Sequence, residues 1–216
     1  MKHCFAFILS LICAAPLAAH PHIFVDTGLD LHIDESGHLS EVTITWAYDD
    51  FYSLLIIEDR GLDPDFDGVL TKAEQADLQG FDTQWTPGFN GDLVITQGTT
   101  TLTLSGPLEA TASYKDGRIT TTHLRKVLAV QETGAPIELR AYDPSYYTAY
   151  DISLPVRIEG PAACNKKVEV PDVAARLSEV NEQLMQMDMQ EMSDDAEMPD
   201  VGILLASTVV VTCDMS

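Results

Sequence analysis

The chain has 216 residues and 45% hydrophobic content, which suits one globular domain, or a domain carrying an insertion. It carries 12 basic against 34 acidic side chains, a formal net charge of −22 at pH 7. So large an excess of carboxylates excludes general binding to nucleic acid or to anionic lipid, and it concentrates cations at the surface.

At the N-terminus, Lys2 and His3 precede an apolar run from Cys4 to Ala15, followed by Pro16 and Leu17-Ala18-Ala19. This pattern predicts a secretory signal peptide over residues 1–19, cut after Ala19 and too short for a permanent membrane helix. The mature chain, 20–216, then reads as a single β-rich domain in an oxidising compartment. Loss of the leader removes Cys4 and Cys13 and leaves Cys164 and Cys213, which predicts one disulfide. Cleavage also exposes His20-Pro21-His22 as the new N-terminus. A free amine beside an imidazole, with a second imidazole two residues on, is a ready chelate for zinc, nickel, cobalt or copper. Pro21 has no N–H, so square-planar binding through the second amide nitrogen is blocked. The bland reading is two polar residues at a strand entrance.

From Ile23 to Trp46 apolar residues alternate around the turn Glu35-Ser36-Gly37, which predicts a β-hairpin. The period changes over Asp49–Leu62, where Phe51, Leu54, Leu55 and Glu58 follow helical spacing with Asp50 as candidate N-cap. Residues 63–74 then read Asp-Pro-Asp-Phe-Asp-Gly-Val-Leu-Thr-Lys-Ala-Glu. This is the spacing of an EF-hand calcium loop. Asp63, Asp65 and Asp67 stand at positions 1, 3 and 5, and Gly68 makes the sharp turn. The Val69 carbonyl, a water on Thr71 and the Glu74 carboxylate complete the expected ligand set. Thr71 and Glu74 also form a capping box, so an exit helix begins inside the loop and ends near Gly80. The insertion therefore covers about residues 50–80. No second loop of this pattern occurs in the chain, which argues for a structural clip more than a switch.

Strand-like runs return between Leu93 and Val156, with Asp116-Gly117 as a hairpin turn and a further strand from Asp151 to Ile158. A helix is expected over Pro171–Met192 and a buried strand over Ile203–Val211, an extension of about 171–213 that Cys213 pins beside Cys164. The fold class expected is α+β, mostly β: an antiparallel sandwich with an inserted EF-hand helix–loop–helix and a C-terminal helix. Met185, Met189 and Met192 share a helix face, which suits packing or, less simply, Cu(I). His32, His38 and His123 each read as surface or strand residues. Tyr142-Asp143-Pro144-Ser145-Tyr146-Tyr147 reads as an aromatic turn with one carboxylate.

Three stretches together resemble the DUF1007 family of bacterial periplasmic proteins. They are His20-Pro21-His22-Ile23-Phe24-Val25-Asp26, the acidic loop 63–74, and Tyr142-Asp143-Pro144-Ser145-Tyr146-Tyr147, with Cys164 after them. The resemblance implies a periplasmic metal-handling accessory protein associated with nickel/cobalt-type permeases and with zinc homeostasis. The expected function is thus calcium binding through the loop, with a transition metal (Zn2+, Ni2+ or Co2+) at His20 and His22 handled for a membrane permease. The competing reading is a calcium-dependent interaction module without a transition metal. An enzyme is not expected: no nucleophile elbow, zinc-protease helix or phosphate loop is present.

Overall fold

The computed structural model describes residues 21–128, 134–160, 163–186 and 200–213. The predicted signal peptide lies outside them. Strands β1 (Ile23–Ile33) and β2 (Leu39–Tyr48) form the expected antiparallel hairpin. Asp34 shapes its turn by accepting from the N–H groups of Ser36 and His38 at 2.8 and 2.9 Å.

Helix α1 (Asp50–Asp59) follows at once. Its N-cap is Asp49 rather than the expected Asp50. Asp49 Oδ1 accepts from Tyr52 N, while Oδ2 accepts from Phe24 N at 2.8 Å. One carboxylate thus starts the helix and ties it to β1, a role that favours the residue adjoining the strand. Ser53 docks the helix on the sheet by accepting the buried Ile119 N–H at 2.9 Å. After a loop, α2 (Lys72–Leu78) begins with the Thr71/Glu74 capping box.

The chain continues through β3 (Leu93–Gln97), β4 (Thr100–Thr101), β5 (Leu108–Lys115) and β6 (Arg118–Lys126), the last two joined at Asp116-Gly117. Then come β7 (Ile137–Ala141), β8 (Thr148–Asp151), β9 (Val156–Glu159), β10 (Cys164–Glu169), α3 (Val173–Gln186), α4 (Val201–Leu205) and β11 (Thr208–Cys213). Two sequence expectations need correction here. The run 151–158 is broken between β8 and β9, at Ile152 to Pro155. The run 203–211 opens as a helix, because Asp200 caps it by accepting from Ile203 N at 3.0 Å.

Two sheets result. One runs β5-β6-β2-β1-β8, with β9 continuing on the same edge of β1; the other runs β10-β11-β7-β3-β4. The expectation of a wholly antiparallel sandwich fails on one edge, since β8 and β9 both run parallel to β1. A long excursion of chain separates β1 from these strands, which is the kind of connection a parallel pair requires. Leu29, Ile44 and Ile119 of the first sheet and Ile95, Leu139 and Val209 of the second lie in one buried cluster. Cys164 and Cys213 stand directly opposite each other on β10 and β11 and are disulfide-bonded, as expected.

The connection 79–92 covers the inner face of β6. Asp82 accepts from the hydroxyls of Thr121 and Tyr48 at 2.6 and 3.0 Å. Trp85 lies under the Arg125 guanidinium, 5.0 Å from its ring centre. Arg125 also donates to the carbonyls of Ser105 and Asn90. Residues of α1, α2 and this connection therefore form one unit clamped on β5 and β6.

Candidate functional site

The loop between α1 and α2 is built around Asp63. Its side chain is buried, and its two oxygens accept from Asp67 N and Gly68 N, each at 3.1 Å. Asp67 in turn accepts from Val69 N at 2.7 Å. The chain makes this tight path by placing Phe66 at φ 57° and Gly68 at φ 77°. A side chain at the second position would be strained, which accounts for the glycine. These turns bring one carboxylate oxygen each from Asp63, Asp65 and Asp67 within 4.8 Å of one another. A hard cation with oxygen ligands at about 2.4 Å spans about that distance, so the donor set fits it.

Glu74 takes no part in that group. Its carboxylate accepts the Thr71 N–H at 2.7 Å, and Glu74 N donates to the Thr71 hydroxyl at 3.3 Å. Bonds from the Thr71 hydroxyl and backbone, then from the Asp63 N–H, hold its pKa below the usual carboxylate range. The remaining expected ligands, Val69 and Thr71, are exposed on the loop. The loop is anchored on both sides: Leu62 is buried, and Gln79 of the α2 C-cap exchanges two hydrogen bonds with the backbone of Ala112 on β5, at 2.7 and 2.8 Å.

A second region lies at the end of the sandwich. Of the predicted N-terminal pair, His20 lies outside the described residues. His22 donates its backbone N–H to the Tyr147 carbonyl at 2.8 Å, and its ring centre is 4.8 Å from that of Tyr147. The histidine motif and the aromatic turn, far apart in sequence, are therefore neighbours. Asp143 uses both oxygens inside the turn: Oδ1 accepts from Ser145 N and Oγ, and Oδ2 from Thr148 N. It shapes the turn through these three bonds. Gly202 of α4 is pressed against the same turn; a Cβ there would stand 1.9 Å from the Asp143 carbonyl oxygen.

The other histidines do not join this end. His32 pairs with Glu159 at 3.7 Å and His38 with Asp34 at 3.6 Å. His123 is buried on β6, edge-on to Trp46 and Trp85 with ring centres 4.7 and 5.5 Å away. Neither of its nitrogens has a hydrogen-bond partner among the described residues. Burial, aided by the Arg125 charge, lowers its pKa to about 4, so it is a neutral core residue. Of the methionine-rich stretch, residues 187–199 lie outside the described residues.

Sequence reasoning missed two carboxylates next to the aromatic end. Asp82 receives Tyr48 and Thr121, and burial raises its pKa. Asp92 receives the Tyr150 hydroxyl at 2.8 Å, and burial raises its pKa to about 6. Nothing local marks them: each sits in a polar connection where an exposed aspartate is ordinary, and only tertiary packing buries it.

The family model for DUF1007, described as a protein of unknown function, matches residues 5–213. The chain belongs to the DUF1007 family. The match spans the hairpin, the acidic loop, the aromatic turn and the disulfide. No curated protein matches the chain. Among the described residues no helix is long and apolar enough to cross a membrane.

Proposed function

We propose that this protein is an exported metal-binding accessory protein and that loop 63–74 is its calcium site, of EF-hand type. The observation that carries the reading is the convergence of Asp63, Asp65 and Asp67, with Asp63 already fixed by two backbone N–H groups. Three carboxylates held this close repel each other, and a divalent cation relieves the repulsion. The Val69 carbonyl, a water on Thr71 and the Glu74 carboxylate would complete the oxygen set. The test is calorimetric titration of the metal-free protein with calcium. One site that Asp65→Ala abolishes supports the reading, and no binding heat at millimolar calcium refutes it.

The second part of the proposal concerns a transition metal, zinc, nickel or cobalt, held at His20 and His22 and passed to a membrane permease. What supports it is the imidazole chemistry at a new N-terminus and the placement of His22 against Tyr147. Titration with each metal, wild type against a His20→Ala/His22→Ala double variant, decides it. Equal affinities would leave these histidines without a metal role.

A further inference from the structure

Helix α1 is apolar on two sides and buried on one. A helix that is apolar all round is normally enclosed. Here Ser53 and Ile57 face the sandwich, while Phe51, Leu54 and Leu55, at i, i+3 and i+4, are 68%, 47% and 45% exposed. The stripe runs into a groove of about 250 Å³ whose walls include Leu54, Leu62, Pro64, Phe66 and Tyr114. Phe66 stands at its rim, 81% exposed. A contiguous apolar face of this kind marks an interaction surface.

The charge around the face selects the partner. Between Asp49 and Thr71 the chain carries seven carboxylates, and Arg60 is the sole basic residue. Arg60 is turned aside: its guanidinium donates to the Asp77 carbonyl at 3.1 Å and lies 5.6 Å from the Phe81 ring centre. The surface is therefore an apolar stripe and groove within an acidic rim. A second copy would bring the same carboxylates face to face, and anionic lipid would meet the same repulsion.

We infer that the exposed face of α1, with the groove beside it, docks a basic amphipathic helical segment of another protein. Its large apolar side chains would cover Phe51, Leu54 and Leu55 and reach into the groove, while its Lys or Arg residues meet Glu58 and Asp59; Asp50 already pairs with Arg118 at 3.7 Å. The groove shares Asp63, Pro64 and Phe66 with loop 63–74, but the inference requires no bound metal.

The probe is a labelled synthetic helix with Leu along one face and Lys on the other, titrated into the folded, disulfide-intact protein by fluorescence anisotropy. Two controls are a scrambled peptide of the same composition and a Leu/Glu helix. The test variant is Leu54→Ser/Leu55→Ser, whose melting curve checks that the fold is kept. Saturable binding of the Leu/Lys helix, weakened at least tenfold by the substitutions and by scrambling and absent for the Leu/Glu helix, is the expected result. Absence of binding, or equal binding by the variant or of either control, overturns it. So does a dimer of the protein, seen by sedimentation, that the substitutions dissolve, because the face would then belong to a second copy.

Discussion

The hydroxyl of Tyr150 on β8 donates to Oδ2 of Asp92 at 2.8 Å, and this bond joins the edge of one sheet to the start of β3 in the other. Burial keeps Asp92 protonated up to about pH 6, against 3.8 for an exposed aspartate. Between those values the folded chain holds a proton that the unfolded chain has released. Stability from this group is therefore full below about pH 4 and is lost as pH rises towards 6. His123 works in the opposite sense. Its folded pKa of about 4 lies below the 6.5 of an exposed imidazole, so its contribution is lost as pH falls from 6.5 to 4. Each effect is on the order of 2–3 kcal/mol, and in the native chain they largely offset. Relative to wild type, Asp92→Asn should gain stability as pH rises from 4 to 6, and His123→Phe should gain it as pH falls over 6.5 to 4. Urea unfolding at a series of pH values measures both; parallel profiles for all three proteins would refute the account.

Calcium should raise the melting temperature of the wild-type protein, and a chelator should reverse the rise. Ligand at about 100 times its Kd stabilises by about 2.7 kcal/mol. Asp65→Ala is the informative variant, because Asp63 also holds the loop backbone and Glu74 also caps α2. It should melt near the metal-free wild type and show no calcium response.

Gly202→Ala should be destabilising by about 1–3 kcal/mol, the usual cost of overpacking. Its new methyl would meet the Asp143 carbonyl, so α4 must lift from the turn that carries Tyr147. Thermal unfolding gives the size of the loss, and altered near-ultraviolet dichroism from the tyrosine end gives its place.

Ser53→Ala removes the acceptor of the buried Ile119 N–H. A buried donor left without a partner costs about 1–3 kcal/mol. Hydrogen exchange at the Ile119 amide should accelerate more than at neighbouring β6 amides, since the bond lost is local.

Reduction of the Cys164–Cys213 bond, or a double Cys→Ser variant, should cost about 4 kcal/mol on the chain-entropy estimate for a loop of this size. Denaturant midpoints with and without reductant test the figure.

What could be read without the structure was whatever the chain specifies locally. The β1–β2 hairpin, the Thr71/Glu74 capping box and the Asp116-Gly117 turn each depend on side chains within a few residues of one another, and each was placed correctly. With a leader predicted over residues 1–19, Cys164 and Cys213 left one simple pairing. The errors arose where distant chain decides. Asp49 outcompetes Asp50 as a cap because it also reaches Phe24. The valine-rich run after Ile203 splits because Asp200 and the Asp143–Pro144 turn stabilise one helical turn before β11. The parallel placing of β8 and β9 depends on pairing across more than a hundred residues, beyond any local pattern. For the candidate site, the spacing of Asp63, Asp65 and Asp67 was legible, but the burial of Asp63 was not. Nor was the meeting of His22 with Tyr147, or the burial of Asp82 and Asp92.

Strand β11 ends at Cys213 yet lies inside its sheet, between β10 and β7. Strand β1, from the other end of the described chain, is likewise flanked on both sides, by β2 and by β8 with β9. The first sheet has all of its strands by Glu159, but the second cannot close until β11 has been made. Contacts of such long sequence separation form slowly. Until β11 is in place the edge of β7 that it pairs with stands open, a ready template for pairing with another chain.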